Sequence, residues 1–236
     1  MDMPAVRKSA KAAKTIRRKV GRPRRSDADL RERLIDAAIA QFTRNGIGAT
    51  SLRAVAEAAG ATPAMLHYYF GDKRQMTMAV VDERLLPAIA PLRARIEAAG
   101  YNPLQTAEAF VNGVAEVVAA NPWLPPLWVR EVLCEGGALR EHMFKRAIPQ
   151  LPQLLAQRFA AAQAHGRLAP DLDPRLMVVS LVGLTLFPAA GAPIWRQMFD
   201  AGDLDDGALR RHTLALLGHG MGARWPGRSK ARRKPE

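Results

Sequence analysis

Signals that start and stop helices lie so close together between residues 50 and 73 that only short helices fit between them. Thr50 or Ser51 can cap a helix that ends at Gly60, since hydroxyl side chains accept hydrogen bonds from the free amides of a first turn. Thr62-Pro63 then opens a second helix, because proline at the first helical position sacrifices no hydrogen bond, and Gly71 ends it. Two short helices joined by a tight turn predict a helix-turn-helix motif.

A longer amphipathic helix precedes this pair. Ser26 and Asp29 have the spacing of a capping box at its start, and Asn45-Gly46 is a typical helix end. Its apolar positions recur near helical spacing, at Leu30, Leu34, Ala38 and Phe42. We therefore expect a three-helix unit in which the first helix holds the other two.

The second short helix carries an aromatic run, His67-Tyr68-Tyr69-Phe70. Successive helical positions differ in direction by about 100°, so these four side chains cannot all be buried in one core. We expect Leu66 and Phe70 to pack against the first helix, which leaves the opposite side free for the major groove of a duplex. The residues expected to face bases, behind the cap Thr62, are Pro63, Ala64, Met65 and His67, and those expected to reach phosphates are Tyr69 and Lys73.

The remainder of the chain also predicts helices, because alanine and leucine dominate it with little β-branched alternation. A helix capped by Asp72 should end or kink near Pro87, and the next segment should end near Gly100. Further helices are expected at 103–120 and within 138–165. The expected fold class is all-α, with an N-terminal three-helix helix-turn-helix domain and a C-terminal helical domain.

One late segment, Leu176 to Trp195, carries no charge and has the length of a membrane span. Pro188 and Pro193 interrupt it, so we expect a buried helix in the core or in a subunit interface, and no membrane. Paired with a last helix from Leu204, this segment suggests a four-helix seam shared by a dimer.

The net charge of +13 is concentrated at the two ends of the chain. Residues 1–25 contain ten Lys or Arg and one acid, residues 223–236 contain six and one, and the body between them is nearly neutral. Such segments bury too little apolar surface to fold, so we expect two disordered basic arms that either solubilise the protein or bind a polyanion. The expected domains are 1–25, 26–72, 73–222 and 223–236.

Evidence for catalysis is weak. The five histidines lack metal-binding spacing, and Cys134 has no second cysteine. The run GHGMG after Leu217 follows a helix and not a strand, which removes the mechanism of a nucleotide-binding loop. We expect no enzyme, no metal and no cofactor, and the single cysteine fits a reducing, cytoplasmic environment.

Three motifs follow one another within residues 26–80: Gly46 with Thr50 and Ser51, then Val55-Ala56-Glu57-Ala58-Ala59-Gly60, then Leu66-His67-Tyr68-Tyr69-Phe70-Gly71-Asp72-Lys73. In this order and spacing they resemble the DNA-binding domain of the TetR family of bacterial transcriptional regulators. The resemblance covers about a quarter of the chain. His67 departs from the tyrosine common at its position, and Ala54 from an acid that often completes the cap.

The resemblance implies which residues contact DNA. Thr50 or Ser51, with Arg53, would bind at the second helix, and Tyr69 and Lys73 around the third. Pro63, Ala64 and Met65 fall where the family reads bases. The segment Gly21-Arg22-Pro23-Arg24 is also similar to the core of an AT-hook, which would place Arg22 and Arg24 in an A·T-rich minor groove.

The resemblance further implies a homodimer that binds a near-palindromic double-stranded DNA operator. Residues 73–222 would then bind a small-molecule effector and dimerise, and repression is expected, with activation as the alternative. Six residues lie on segments that could either pack as ordinary core or line an apolar pocket with one cation, for an aromatic or amphiphilic ligand: Phe110, Trp123, Trp128, Arg130, Cys134 and Phe144. The rival hypothesis is a helical enzyme or binding module whose basic arms bind RNA or anionic surfaces.

Overall fold

The computed structural model describes residues 25–146 and 150–222, except for the side chains of residues 25–27 and 144–146. Every element in these ranges is a helix, which confirms the all-α class. The N-terminal helices are α1 (Arg25–Asn45), α2 (Leu52–Ala58), α3 (Pro63–Phe70) and α4 (Lys73–Val80), and α4 continues through a π-helical segment (Val81–Leu85) into α5 (Leu86–Ala98). The later helices are α6 (Pro103–Ala120), α7 (Leu124–Trp128) with a second π-helical segment (Val129–Leu133), α8 (Arg140–Arg146), α9 (Gln150–Ala164), α10 (Pro174–Ala190), α11 (Ala192–Met198) and α12 (Asp206–Gly222).

α1 is the scaffold of the N-terminal unit. It begins at Arg25, one residue before the predicted cap Ser26. Leu66 and Phe70 of α3 are buried, as predicted, and burying each such side chain stabilises the fold by about 1.5–3 kcal/mol. The face of α1 that lies beneath α2 and α4 is closed to solvent at Leu34, Ile35, Ala38 and Phe42.

The turn between α2 and α3 depends on Gly60, whose φ angle is +65°. The N–H of Ala61 bonds to the carbonyl of Ala56 at 2.8 Å, as in a Schellman helix end. Only glycine adopts this left-handed conformation without strain from a Cβ atom. The turn therefore directs the chain from α2 straight into α3.

Side-chain caps begin the next three helices. Ser51 rather than Thr50 caps α2, which settles the alternative left open by the sequence. The side chains of Ser51, Thr62 and Asp72 accept hydrogen bonds from the N–H groups of Ala54, Met65 and Gln75, at 3.1, 3.3 and 2.7 Å. Each cap satisfies an amide that the first turn leaves free.

The sequence predicts an end or kink near Pro87; the helix does not end there, and its α-helical hydrogen bonding is interrupted by the π-helical segment that precedes the proline. Proline has no N–H to offer the carbonyl of Glu83 four residues earlier. The π-helical segment lies directly before it, where the N–H of Leu86 bonds to the carbonyl of Val81. Arg84 donates to the Glu83 carbonyl at 3.3 Å, so this oxygen is not left unpaired.

Charged side chains tie α1 to this long helix. Arg31 donates two hydrogen bonds to the carboxylate of Glu83, one of them at 2.6 Å, and its guanidinium lies 5.0 Å from the centre of the Phe70 ring. Arg84 pairs with Glu32. The bonds from Arg31 hold the pKa of Glu83 below its usual range, so this stabilisation is present at neutral pH and is lost as the pH falls.

α6 lies at the centre of the C-terminal unit, packed by α5, α9, α10 and α12, and its bounds are those predicted. α10 buries one face, while its other face exposes Leu176, Val179 and Phe187. Across the described ranges no single helix combines the length and apolar character of a bilayer span. α10 and α11 meet that test only as a pair, and the pair bends by 70°.

A buried carboxylate joins the N-terminal unit to the C-terminal unit. Glu131, in the second π-helical segment, is only 5% exposed. Its Oε1 accepts the N–H of Ile47 at 2.9 Å, and its Oε2 accepts the N–H of Ala138 at 3.1 Å. Gly46 has a φ angle of +83°, and a Cβ atom there would lie 3.3 Å from Oε1, so both the backbone conformation and this close approach favour glycine.

Arg130 reinforces the same junction. Its guanidinium donates to the carbonyls of Thr43 and Arg44, at 3.3 and 3.1 Å. These carbonyls belong to the last turn of α1, where oxygens lack helical partners and the helix dipole favours a cation. The end of α1 is thus held by two consecutive residues of one π-helical segment.

The boundary expected between residues 72 and 73 falls at the cap of α4. α4 nevertheless packs against α1 and α3 as well as leading into α5. The division of the chain into four domains therefore stays a prediction.

Replacing Glu131 by alanine should lower the free energy of unfolding by about 3 kcal/mol, because the buried N–H of Ile47 and the partly buried N–H of Ala138 lose a charged acceptor. Urea denaturation followed by circular dichroism measures the change. Glu135→Ala, at an exposed position four residues away, is the matched control and should shift stability by less than about 0.5 kcal/mol. Equal losses in the two variants would contradict the importance of this junction.

Candidate nucleic-acid interface and ligand cavity

The exposed side of α3 is the side on which the sequence places the base contacts. Its first turn is exposed, as is His67, while Leu66 and Phe70 fasten the opposite side to the scaffold. α3 contains no acidic residue, so no charge on it repels phosphates. The exposed positions assigned to bases are Pro63, Ala64, Met65 and His67.

Tyr68 is a candidate contact that the sequence reasoning missed. Its side chain is 85% exposed, and its ring meets the edge of the Tyr69 ring with centroids 5.3 Å apart. Two positions from each of the buried Leu66 and Phe70, it points away from the scaffold, because two helical steps turn by about 200°. Once Leu66 and Phe70 are assigned to the core, the angles between helical positions alone predict that Tyr68 is exposed.

His67 and Tyr69 both have contacts within the protein that limit how they can meet DNA. The Nδ1 atom of His67 lies 2.5 Å from the carbonyl oxygen of Gly71, which can only accept, so Nδ1 carries the hydrogen. In the neutral ring Nε2 is then an acceptor, able to take a hydrogen bond from a base edge; only the doubly protonated ring could donate from Nε2 to a phosphate. Tyr69 is half-buried against the core. The DNA contacts of both residues stay predictions.

Ser51 and Arg53 lie at the surface at the start of α2, but Thr50 does not. Thr50 is 3% exposed, and its hydroxyl donates to the carbonyl of Gly46 at 2.7 Å. That bond joins the two ends of the loop between α1 and α2. The hydroxyl of Thr50 is therefore buried in the loop and does not face DNA. The Nε of Arg53 donates to Glu57 at 2.8 Å, which leaves other N–H groups of the guanidinium for a phosphate.

Lys73, the first residue of α4, bridges α4 to the loop before α2. Its ammonium donates to the carbonyl of Gly48 at 2.6 Å. The bond brings a positive charge to the edge where α2 and α4 begin. Ammonium groups have three donors, so the same group has donors left for a phosphate, and the phosphate contact of Lys73 stays a prediction.

Arg22 and Arg24 lie outside the described residues. The same holds for the AT-hook-like segment and for residues 223–236. Minor-groove binding by the N-terminal arm therefore stays a prediction.

An apolar cavity of about 100 Å³ lies within the C-terminal unit. Helices α5, α6, α7, α9 and α10 contribute to its wall, and among the residues that the structure describes no charged side chain is part of that wall. The lining residues are Ile89, Leu92, Phe110, Val114, Val117, Leu124, Trp128, Leu151, Pro152, Leu155, Val178, Val182 and Leu186.

Two of the six predicted ligand residues, Phe110 and Trp128, line this cavity. Trp123 stands before α7 and packs on the core without forming part of the wall. The side chain of Phe144 lies outside the described residues. Binding of a ligand by any of these residues stays a prediction.

Arg130 and Cys134 are placed differently from the prediction. Arg130 is drawn to the carbonyls at the end of α1, so the cavity does not contain the expected cation. Cys134 follows the π-helical segment at the surface. Within the described part of the chain, the wall therefore offers no charged group to an amphiphile.

Comparison with known proteins points to one family. Residues 34–80 match the family model for bacterial regulatory proteins of the tetR family, a stretch that runs from within α1 to the end of α4. The HTH-type transcriptional regulator RutR of Escherichia coli is 27% identical over 176 residues, which are 73% of this chain and 80% of RutR.

Solved structures share the fold. The fatty acid degradation regulator FadR of Bacillus halodurans aligns with a TM-score of 0.63 over 83% of this chain and 97% of its own, at 20% identity. NalD, the secondary repressor of the MexAB-OprM multidrug efflux pump in Pseudomonas aeruginosa, aligns with a TM-score of 0.62 over 84% of this chain and 100% of its own, at 21% identity. At these identities the likeness shows the fold.

Substitution at residues 50 and 51 should separate a buried hydroxyl from a surface contact. Thr50→Val should cost about 1 kcal/mol of stability and leave the DNA affinity of the folded protein unchanged. Ser51→Ala should cost a similar amount through the missing cap and also weaken binding to duplex DNA. Urea unfolding and fluorescence anisotropy on a labelled duplex measure both quantities. A larger loss of affinity in Thr50→Val would restore Thr50 as a DNA-binding residue.

Proposed function

We propose that this chain, a member of the TetR family of bacterial transcriptional regulators, is a ligand-responsive repressor that binds a near-palindromic DNA operator as a homodimer. The observation that supports the proposal best is that α3 is fixed to the core on one side and exposed to solvent on the other. Leu66 and Phe70 anchor it, and its free side projects Met65, His67 and Tyr68 away from the scaffold. A short helix held in this way fits a major groove.

The proposed dimer uses α10 and α12. Leu176, Val179 and Phe187 of α10 are each more than 60% exposed, and they lie close to one another around the helix. α12 packs beside α10 and exposes Leu216. An apolar surface of this kind is typical of a subunit interface, and a two-fold pair of these helices would form the four-helix seam.

Two connections couple the cavity to the DNA-binding surface in this proposal. Trp128 lines the cavity and directly precedes the π-helical segment that holds α1. Ile89 and Leu92 line it from α5, which is continuous with α4 behind α3. A ligand that displaces either wall shifts the recognition helix. Operator and ligand then alter each other's affinity by the same factor.

Repression is the proposed default because a dimer seated over a promoter blocks transcription. The regulator would act in the cytoplasm, where the operator is, without catalysis and without a cofactor. The basic arms would add a sequence-independent attraction to DNA.

A pool of random duplexes should yield a near-palindrome when selected with the purified chain. Two recognition helices of a dimer meet successive major-groove faces, which imposes the symmetry. Lys73→Ala should weaken every selected sequence alike, and the slope of log affinity against log salt should fall by about 0.9 for each phosphate that the lysine neutralises. Anisotropy titrations at several salt concentrations measure the slope.

Arg167→Ala provides the control for charge. Arg167 is exposed between α9 and α10, away from α3, and its removal should leave both the affinity and the salt slope unchanged. Equal binding of random duplex, single strand and RNA, abolished by deletion of residues 1–25, would instead support the rival hypothesis of non-specific basic arms.

Val179→Glu should convert the dimer into a monomer, because it buries a charge in the apolar seam. Light scattering after size exclusion measures the mass, and operator affinity should fall at least tenfold with the loss of the second half-site. Leu104→Glu, on an exposed leucine at the start of α6, should remain dimeric. A dimeric Val179→Glu protein would place the interface elsewhere.

A further inference from the structure

The wall of the cavity specifies the chemical class of its occupant. Side chains from five helices line about 100 Å³, and among the residues that the structure describes none of them is charged. A charged group among them would lose its hydration and gain no partner, which is strongly unfavourable. The part of a ligand that occupies the cavity is therefore an uncharged hydrocarbon group.

One polar atom in this wall is buried without a partner. Trp128 lines the cavity, and its indole Nε1, closed to solvent, meets no hydrogen-bond acceptor among the described residues. Buried N–H groups are nearly always hydrogen-bonded in native proteins. Trp195 shows the usual arrangement, since its Nε1 donates to the carbonyl of Pro188 at 2.8 Å.

The size of the cavity adds a second requirement. At about 100 Å³ it is smaller than the roughly 150 Å³ of an engineered apolar cavity that accepts benzene. A ligand with a ring must displace side chains of the wall. Displacement beside Trp128 also gives an acceptor access to an N–H that is closed to solvent before the ligand binds.

We propose that the effector is an uncharged, mainly hydrocarbon molecule with one hydrogen-bond acceptor, such as a ketone, ester or ether oxygen, which binds the indole N–H of Trp128. This inference rests on the proposed function, because it takes this cavity as the effector site. It replaces the amphiphile expected from the sequence, since Arg130 is engaged at the end of α1.

Four probes of similar size test the inference: acetophenone, ethylbenzene, benzoate and benzylammonium. Isothermal titration calorimetry on the full chain measures their affinities. Acetophenone should bind most tightly, and ethylbenzene about fivefold to tenfold more weakly, because it lacks the acceptor. Benzoate and benzylammonium should bind at least a hundredfold more weakly than acetophenone.

Trp128→Phe removes the N–H and keeps an aromatic ring. In this variant acetophenone and ethylbenzene should bind equally, whereas Trp123→Phe, a tryptophan outside the wall, should keep the wild-type preference. Circular dichroism and thermal unfolding check that both variants fold. If Trp128→Phe does not fold, the order of the four probes on the wild-type chain decides the question.

Tight binding of either charged probe, no preference for acetophenone over ethylbenzene, or no binding of any probe at millimolar concentration would overturn the inference. The duplex selection is performed without any probe. A chain that selects a palindrome but fails these criteria refutes only the ligand class, whereas a chain that selects no duplex refutes the proposed function.

Discussion

The two hydrogen bonds of the Glu131 carboxylate determine how the DNA-binding unit sits on the rest of the protein. One oxygen accepts the N–H of Ile47 at the end of the α1 region, and the other accepts the N–H of Ala138 in the C-terminal unit. Both partners are main-chain amides, so the carboxylate cannot slide to a new partner without leaving a buried charge unpaired. The junction therefore favours discrete positions over gradual displacement.

Both π-helical segments contact α1 or the loop that follows it through charged side chains. Val81–Leu85 supplies Glu83 and Arg84, which pair with residues of α1, and Val129–Leu133 supplies Arg130 and Glu131. A π turn widens the helix by one residue and changes the direction of the side chains around it. Each segment also adjoins helices that line the cavity. The contacts that both segments make with the α1 region therefore lie between the cavity and the DNA-binding surface.

Local rules predicted the helices well, because the caps at Thr62 and Asp72 depend only on residues a few positions away. The same rules failed for side chains whose direction is set by groups far away in the sequence. Arg130 was expected in the cavity, but the carbonyls at the end of α1 lie far from it in sequence and a π turn sets its register. Thr50 was offered to DNA because nothing local shows that its hydroxyl closes a loop with Gly46.

Under the proposed function, the small volume of the cavity accounts for competition between ligand and operator. A ligand with equal affinity for the protein on and off DNA shifts no equilibrium, so the proposed effector must distinguish the two states. In the proposed mechanism a larger ligand moves the wall at Trp128, and the residues after it hold the end of α1 through Arg130 and the following loop through Glu131. In the proposed mechanism, the misfit between cavity and effector is therefore the source of regulation, and a ligand that fits the existing space would regulate less strongly.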